Sequence, residues 1–247
     1  MTNLATVLRA AGTAAYPIGR AIGLEDVTDA LFAAYVFGTG YVPRDNCLID
    51  RSSNGRHLTN AGALIDEYHA TVGSGSRLIT PFSGVDLGAA NSAITIVAIH
   101  KTLSDSQMML ASNYVNGSTP AIALSAPSSA ASRAYAVSSS STNSSVSSDP
   151  ARGNQYVISA GGWTPSTITA HYIKNGAATH KTATSWTATT FGGEGNFTIG
   201  STVAGFTGAS DIGAVLFFDD ALSTGQLEDL AVVLDEKLPE LGLTASS

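Results

Sequence analysis

Residues 206–230, FTGASDIGAVLFFDDALSTGQLEDL, change character halfway along. Ile212–Phe218 is a short apolar run bounded by Gly and Asp, too short for a helix and rich in residues that favour strands. Asp219-Asp220 ends it. Ser223 then stands three residues before Gln226, the spacing of a capping box, in which each side chain can take the other's free backbone N–H. Beyond it Leu227, Leu230, Ala231, Leu234 and Leu238 recur at helical spacing, Glu228, Asp229, Asp235 and Glu236 fall on the other side, and Pro239 closes the segment. The stretch predicts a core strand running into a helix over 223–238.

Upstream, the chain from Asp29 onward consists of short apolar runs separated by turn residues, the texture of an antiparallel β protein. Strands are expected at Leu31–Phe37, Ser92–Lys101, Gln107–Ser112, Ala121–Ser125, Arg133–Ser138, Gln155–Ala160, Thr167–Lys174, Asn196–Ser201 and Ile212–Phe218. In Thr167–Lys174, Ile168, Ala170, Tyr172 and Lys174 alternate with Thr167, Thr169, His171 and Ile173, and Asn175-Gly176 suits a type I′ hairpin turn. Twelve of the residues from Ser125 to Asp149 are Ser. Because Arg133, Tyr135 and Val137 alternate within that stretch, it is expected to hold one strand flanked by polar loops at the rim. Residues 1–28 have a different texture, weakly helical over Thr2–Ala11 and then broken by Gly12, Pro17, Gly19 and Gly23. They are expected to form a docking arm ahead of one domain at 29–247.

Composition agrees. Of 247 residues, 13% are charged, about half the usual globular share, and Gly, Ser, Thr and Ala fill the gap. The net charge of −7 without a Lys/Arg cluster argues against a nucleic-acid partner. No window approaches the roughly 20 apolar residues of a membrane span, and Arg9 interrupts the apolar start that a secretion signal would need. The single cysteine, Cys47, excludes an intrachain disulfide framework and reads as a small buried apolar residue.

The order of these features resembles concanavalin A-like, laminin G-like jelly-roll domains. Residues 31–60 match the family's opening strand and its Asp-x-Ser-x-Asn-Gly turn through Asp50, Ser52, Asn54 and Gly55. Ile94–His100 is similar to a further family strand, and Tyr172, Asn175 and Gly176 to its Tyr-x-Asn-Gly hairpin. Phe206, Gly208, Ile212, Val215, Phe217, Asp219, Leu222, Ser223 and Leu227 fit its closing strand and helix. The resemblance spans about residues 29–238 and implies an antiparallel two-sheet jelly-roll sandwich with one C-terminal helix. It does not imply an activity, since the family includes lectins, glycosidases, adhesion modules and virus structural proteins.

Glycosidases of this fold set two carboxylates on one strand at even spacing, so that both point into the cleft. Among the nineteen Asp and Glu no two are separated by a single residue; Asp219-Asp220 and Glu228-Asp229 are adjacent. His57, His69, His100, His171 and His180 show neither HxH nor HExxH spacing. No catalytic residue, metal ligand or cofactor is therefore expected. Calcium, which some relatives hold in rim loops, would have Asp86, Asp105 and Asp211 to use, without supporting spacing. Trp163, after Gly161-Gly162 and before Pro165, and Tyr114, beside Asn116-Gly117, read as rim-loop aromatics that either pack the sandwich edge or stack on sugar rings. Trp186 reads as a core residue. Trp163, Tyr114 and Asn116 are the candidate glycan-binding residues.

The reading that follows is a non-enzymatic structural or interaction protein. A bacteriophage virion component is expected: a head decoration, fibre or tail-associated protein, docked on other virion proteins through its arm, homo-oligomeric, and able to grip a host cell-surface glycan. The alternative is a bacterial carbohydrate-binding module or diverged glycosidase, which should show a secretion signal, a linker or paired acids.

Overall fold

In the computed structural model, residues 30–40, 47–52, 54–89, 93–114, 121–127, 132–137, 143–148, 155–174, 177–183, 195–200 and 205–243 are described. The expected arm at 1–28, the Asn175-Gly176 turn, Asn116 and Trp186 lie outside them.

Among the described residues the chain folds as two antiparallel sheets packed face to face, with one long helix toward its C-terminal end. The larger sheet runs in the order β13 (Ala177–Ala183), β12 (Ile168–Lys174), β11 (Val157–Trp163), β6 (Ile94–Thr102), β15 (Ser210–Phe218), β4 (Ala70–Val72) and β3 (Leu64–Ile65), and β1 (Leu31–Val36) also pairs with β15. The smaller runs β10 (Asn143–Ser148), β9 (Ser132–Val137), β8 (Ala121–Ala126), β7 (Met108–Ser112), β14 (Asn196–Ile199), β5 (Arg77–Ser83) and β2 (Thr59–Ala61). All nine expected strands are present. β13 and four strands between residues 59 and 83 were not among those expected; β2, β3 and β4 are two or three residues long, too short to show a period.

The Ser-rich stretch departs from expectation. A second strand, β10, follows β9 and pairs with it from Asn143↔Val137 to Ser148↔Ser132, where a polar loop had been expected. Ser is a weak strand former, but an edge strand needs only a partner ladder on one side.

Between the sheets, alternate residues of every central strand meet: Ile94, Ile96 and Ala98 of β6, Val215 and Phe217 of β15, Ile122 and Leu124 of β8, Ala134 and Ala136 of β9, with Tyr35, Phe82 and Phe197. Phe82, Phe197 and Phe217 pack ring against ring with centroids 5.1–5.9 Å apart. The outward residues of the larger sheet form a second core. Val97, Ile99, Ala214, Leu216 and Phe218 lie under helix α2 (Thr224–Lys237), whose Leu227, Leu230, Ala231 and Leu234 cover them. Hence all nine residues of β15 are buried: a strand covered on both faces reads as a continuous apolar run. The capping box is present, with Gln226 N–H donating to Ser223 Oγ at 3.3 Å and Ser223 N–H to Gln226 Oε1 at 2.9 Å. A short helix, α1 (Gly84–Leu87), follows β5.

The Asp50 turn ties the start of the sandwich together. Asp50 Oδ1 accepts from Ala34 N–H and Ser52 N–H, and Oδ2 from Ser52 Oγ and Arg56 N–H, all within 3.0 Å. Asn54 Nδ2 and Arg56 donate to the Phe32 carbonyl, and the Arg56 guanidinium lies 3.5 Å over the Phe32 ring centroid. Gly55 sits at φ 71°, the left-handed region that favours glycine. Cys47 is fully buried. Among the described residues no helix is long and apolar enough to cross a membrane.

Candidate glycan-binding face

Trp163 is not a rim-loop residue. It ends β11, pairs with Ile94 and Ile168, and is fully buried. Gly161-Gly162, read from sequence as a loop, belongs to the same strand, and the side-chain space at Gly161 is filled by the Trp163 ring. A Gly pair in a strand can mark close approach of another group, and here that group is the indole two residues on. A ring buried between sheets cannot stack on a sugar. Its Nε1–H donates across the sandwich to the carbonyl oxygen of Tyr135 at 3.2 Å, so Trp163 braces a residue of the opposite sheet.

That residue is where the geometry leads. Alternation along β9 sends Ala134 and Ala136 into the core and leaves Arg133 and Tyr135 facing outward, both half-buried. Tyr114, also half-buried, meets Tyr135 edge to face, with ring centroids 6.0 Å apart and planes at 88°. Burial, and then Tyr114, push the Tyr135 hydroxyl's pKa upward. Arg133 is held by a 3.0 Å bond from its Nε–H to Ser147 Oγ of β10.

Tyr114 lies just past β7 but is not loose. Its N–H donates to Ser112 Oγ at 2.8 Å. Beside it Asn113, buried, accepts Ile122 N–H at 2.8 Å and so extends the β7–β8 pairing by one residue. Two aromatic rings, a guanidinium and strand hydroxyls thus share one small surface on rigid backbone. Tyr114 is a candidate from the sequence alone, whereas Tyr135 and Arg133 emerge only from the fold. Their signal was the Arg-x-Tyr-x-Val alternation inside the Ser-rich stretch, which marks two residues on one face.

The three aspartates considered for calcium do not come together, since among the described residues no three His, Cys, Asp or Glu side chains gather where they could hold a metal ion. Asp86 caps its own helix: Ser83 N–H and Oγ each donate to it at 2.8 Å, and the backbone bond is the main cause holding its carboxyl below the usual range. Asp211 accepts Thr71 Oγ1 at 2.8 Å and sits 3.3 Å from His69 Nε2 on the larger sheet. Asp105 is exposed in the turn between β6 and β7.

On that same sheet two more histidines meet. His171 and His180 oppose each other across β12 and β13, with ring centroids 5.5 Å apart. His171 is buried and its Nδ1 has no hydrogen-bond partner, while His180 is exposed. Burial first, then His180, lower the His171 pKa to about 4.

The fold and this outward-facing aromatic pair describe a β-sandwich with a polar, aromatic patch on the smaller of its sheets. No family model matches the chain, and no curated protein matches it. Solved structures do. The receptor-binding domain fold of botulinum neurotoxin is similar over most of the chain: the serotype D binding domain has a TM-score of 0.62 at 10% identity, covering 84% of this chain and 51% of that one. The serotype D ligand-binding domain in complex with N-acetylneuraminic acid gives 0.61 at 11% identity, covering 84% and 52%. Trypanosoma rangeli sialidase gives 0.57 at 14% identity, covering 89% of this chain and 34% of the sialidase. At such identities the likeness is one of fold, and the chain spans about half the length of those binding domains and about a third of the sialidase.

Proposed function

We propose that this chain is a non-catalytic glycan-binding protein whose contact surface is Tyr114, Tyr135 and Arg133. The observation that carries the reading is the edge-to-face tyrosine pair beside a tethered arginine, held by strand pairing and braced from the core by Trp163. Sugar rings present C–H faces that stack on aromatic side chains and hydroxyls that bond to fixed polar groups, and rigid anchors lower the entropic cost of binding. A structural neighbour that holds N-acetylneuraminic acid supports the ligand class. The carboxylates support the non-catalytic part: Asp50 and Asp86 are spent on backbone and hydroxyl donors, and no two acids have the one-residue spacing of a strand pair.

A narrower reading goes with it: a bacteriophage virion component, homo-oligomeric, docked on its particle through residues 1–28 and presenting the tyrosine patch to host glycans. Its support is the change of texture near Asp29. Two experiments separate the levels. Screening the purified protein against immobilised glycans should give saturable binding; none across neutral and acidic sugars would contradict the glycan reading. Deleting residues 1–24 should leave thermal stability within a few °C but abolish incorporation into particles. A truncated protein that still assembles would remove the arm from the account, and one that fails to fold would make the arm part of the sandwich.

A further inference from the structure

The histidine pair at the β12–β13 hairpin lies on the larger sheet, and the tyrosine patch makes no use of it. Cross-strand register sets His171 directly opposite His180, and the outward alternation of β12 puts His171 on the same face as Ile173, which packs under α2. The hairpin is fixed on both sides. β12 pairs with β11 along six residues, β13 pairs with β12 from Ala183 to Ala177, and the Ala178 N–H of β13 donates to Glu228 Oε1 of α2 at 3.4 Å.

Three observations converge there. Two imidazoles bound to one ion, each with a metal–nitrogen bond of about 2 Å, place their ring centroids roughly 5 Å apart, and these centroids are 5.5 Å apart. The rings are tilted by 34°, so they splay and are not stacked flat. Nδ1 of His171 is enclosed and without a hydrogen-bond partner, although a buried polar atom left unpaired normally costs stability. An ion bound at Nδ1 would give that atom the partner it lacks, and the exposure of His180 gives the ion a way in.

We propose that His171 and His180 form a two-imidazole site for a divalent transition-metal ion of the zinc class. Nitrogen ligands favour zinc, nickel and copper over calcium or magnesium, which take oxygen. Among the described residues no third His, Cys, Asp or Glu completes the set, so water fills the remaining positions, as in open zinc sites. Binding is therefore reversible and competes with protons. The ion clips the outermost strand of the larger sheet to its neighbour, adding to the β12 ladder and the Glu228 bond that already hold it.

The test is a Zn²⁺ titration of the full chain followed by NMR of labelled histidine side chains, with calorimetry for the Kd. Substoichiometric Zn²⁺ should move the His171 and His180 resonances first. His180→Gln, at an exposed position that leaves the core untouched, should weaken Zn²⁺ by tenfold or more, and His69→Ala should leave the Kd unchanged. Should another histidine respond first, or should His180→Gln bind Zn²⁺ as tightly as the parent, the site does not exist. Ca²⁺ in place of Zn²⁺ should move neither resonance, and an equal response to Ca²⁺ would overturn the nitrogen-ligand assignment.

Discussion

The outward faces of the two sheets are built on the same alternation and put to opposite use. On the larger sheet the outward residues are Val97, Ile99, Ala214, Leu216 and Phe218, and α2 roofs them into a second core. On the smaller sheet β9 turns Arg133 and Tyr135 outward, and Tyr114 packs beside them with part of its surface in solvent. A sandwich of this kind can give one sheet's back to stability and the other's to binding. Sequence composition separates β15 from β9, since consecutive apolar residues mark a strand buried on both faces, as also in β7 and β8, and Arg and Tyr interleaved with Ala mark a strand open on one.

The covered face is most sensitive at Phe218. Truncation to Ala should cost about 3–5 kcal/mol, because the ring is fully buried beneath α2 and leaves a cavity. Urea unfolding would measure it, and a cost near that of a surface site would mean the second core is not one. Next comes pH. The folded-state pKa of His171, about 4, lies below the ordinary value, so above the unfolded pKa near 6.5 both states are neutral and stability is flat. As pH falls from there, the unfolded chain takes up a proton that the folded one refuses, and stability drops by about 3 kcal/mol before levelling near pH 4. His171→Gln should remove that component, and an unchanged pH slope in the variant would contradict the buried, neutral assignment. Smaller still is Trp163→Phe, which keeps most of the packing but removes the indole N–H that donates to the Tyr135 carbonyl. It should cost about 1 kcal/mol and also weaken glycan binding; a stable variant with full binding would show that the brace is not needed.

Much of the architecture was legible because it repeats. Ile212–Phe218 and the Ser223–Gln226 box state strand and helix in local terms that tertiary context did not override. The Asp50 turn was legible because its side chains bond within a few residues and to the adjacent β1. The site was only half legible. Tyr114 was found, but Trp163 was misassigned because Gly-Gly-Trp-x-Pro has the composition of a loop, and only the opposite sheet explains why a strand needs Gly161 there. Tyr135 was hidden for the same reason: its neighbour Tyr114 is 21 positions away in sequence, and no local pattern announces a pair made by register.

The most direct test of the account compares two half-buried tyrosines on opposite sides of the sandwich, Tyr135 of the smaller sheet and Tyr156 ahead of β11 in the larger. Each is changed to Ala, folding is checked by thermal melt, and affinity for the best glycan from the screen is measured by calorimetry. The account predicts a loss of tenfold or more, about 1.4 kcal/mol or greater, for Tyr135→Ala and no change for Tyr156→Ala. Equal affinities in both variants, or a loss confined to Tyr156→Ala, would contradict it.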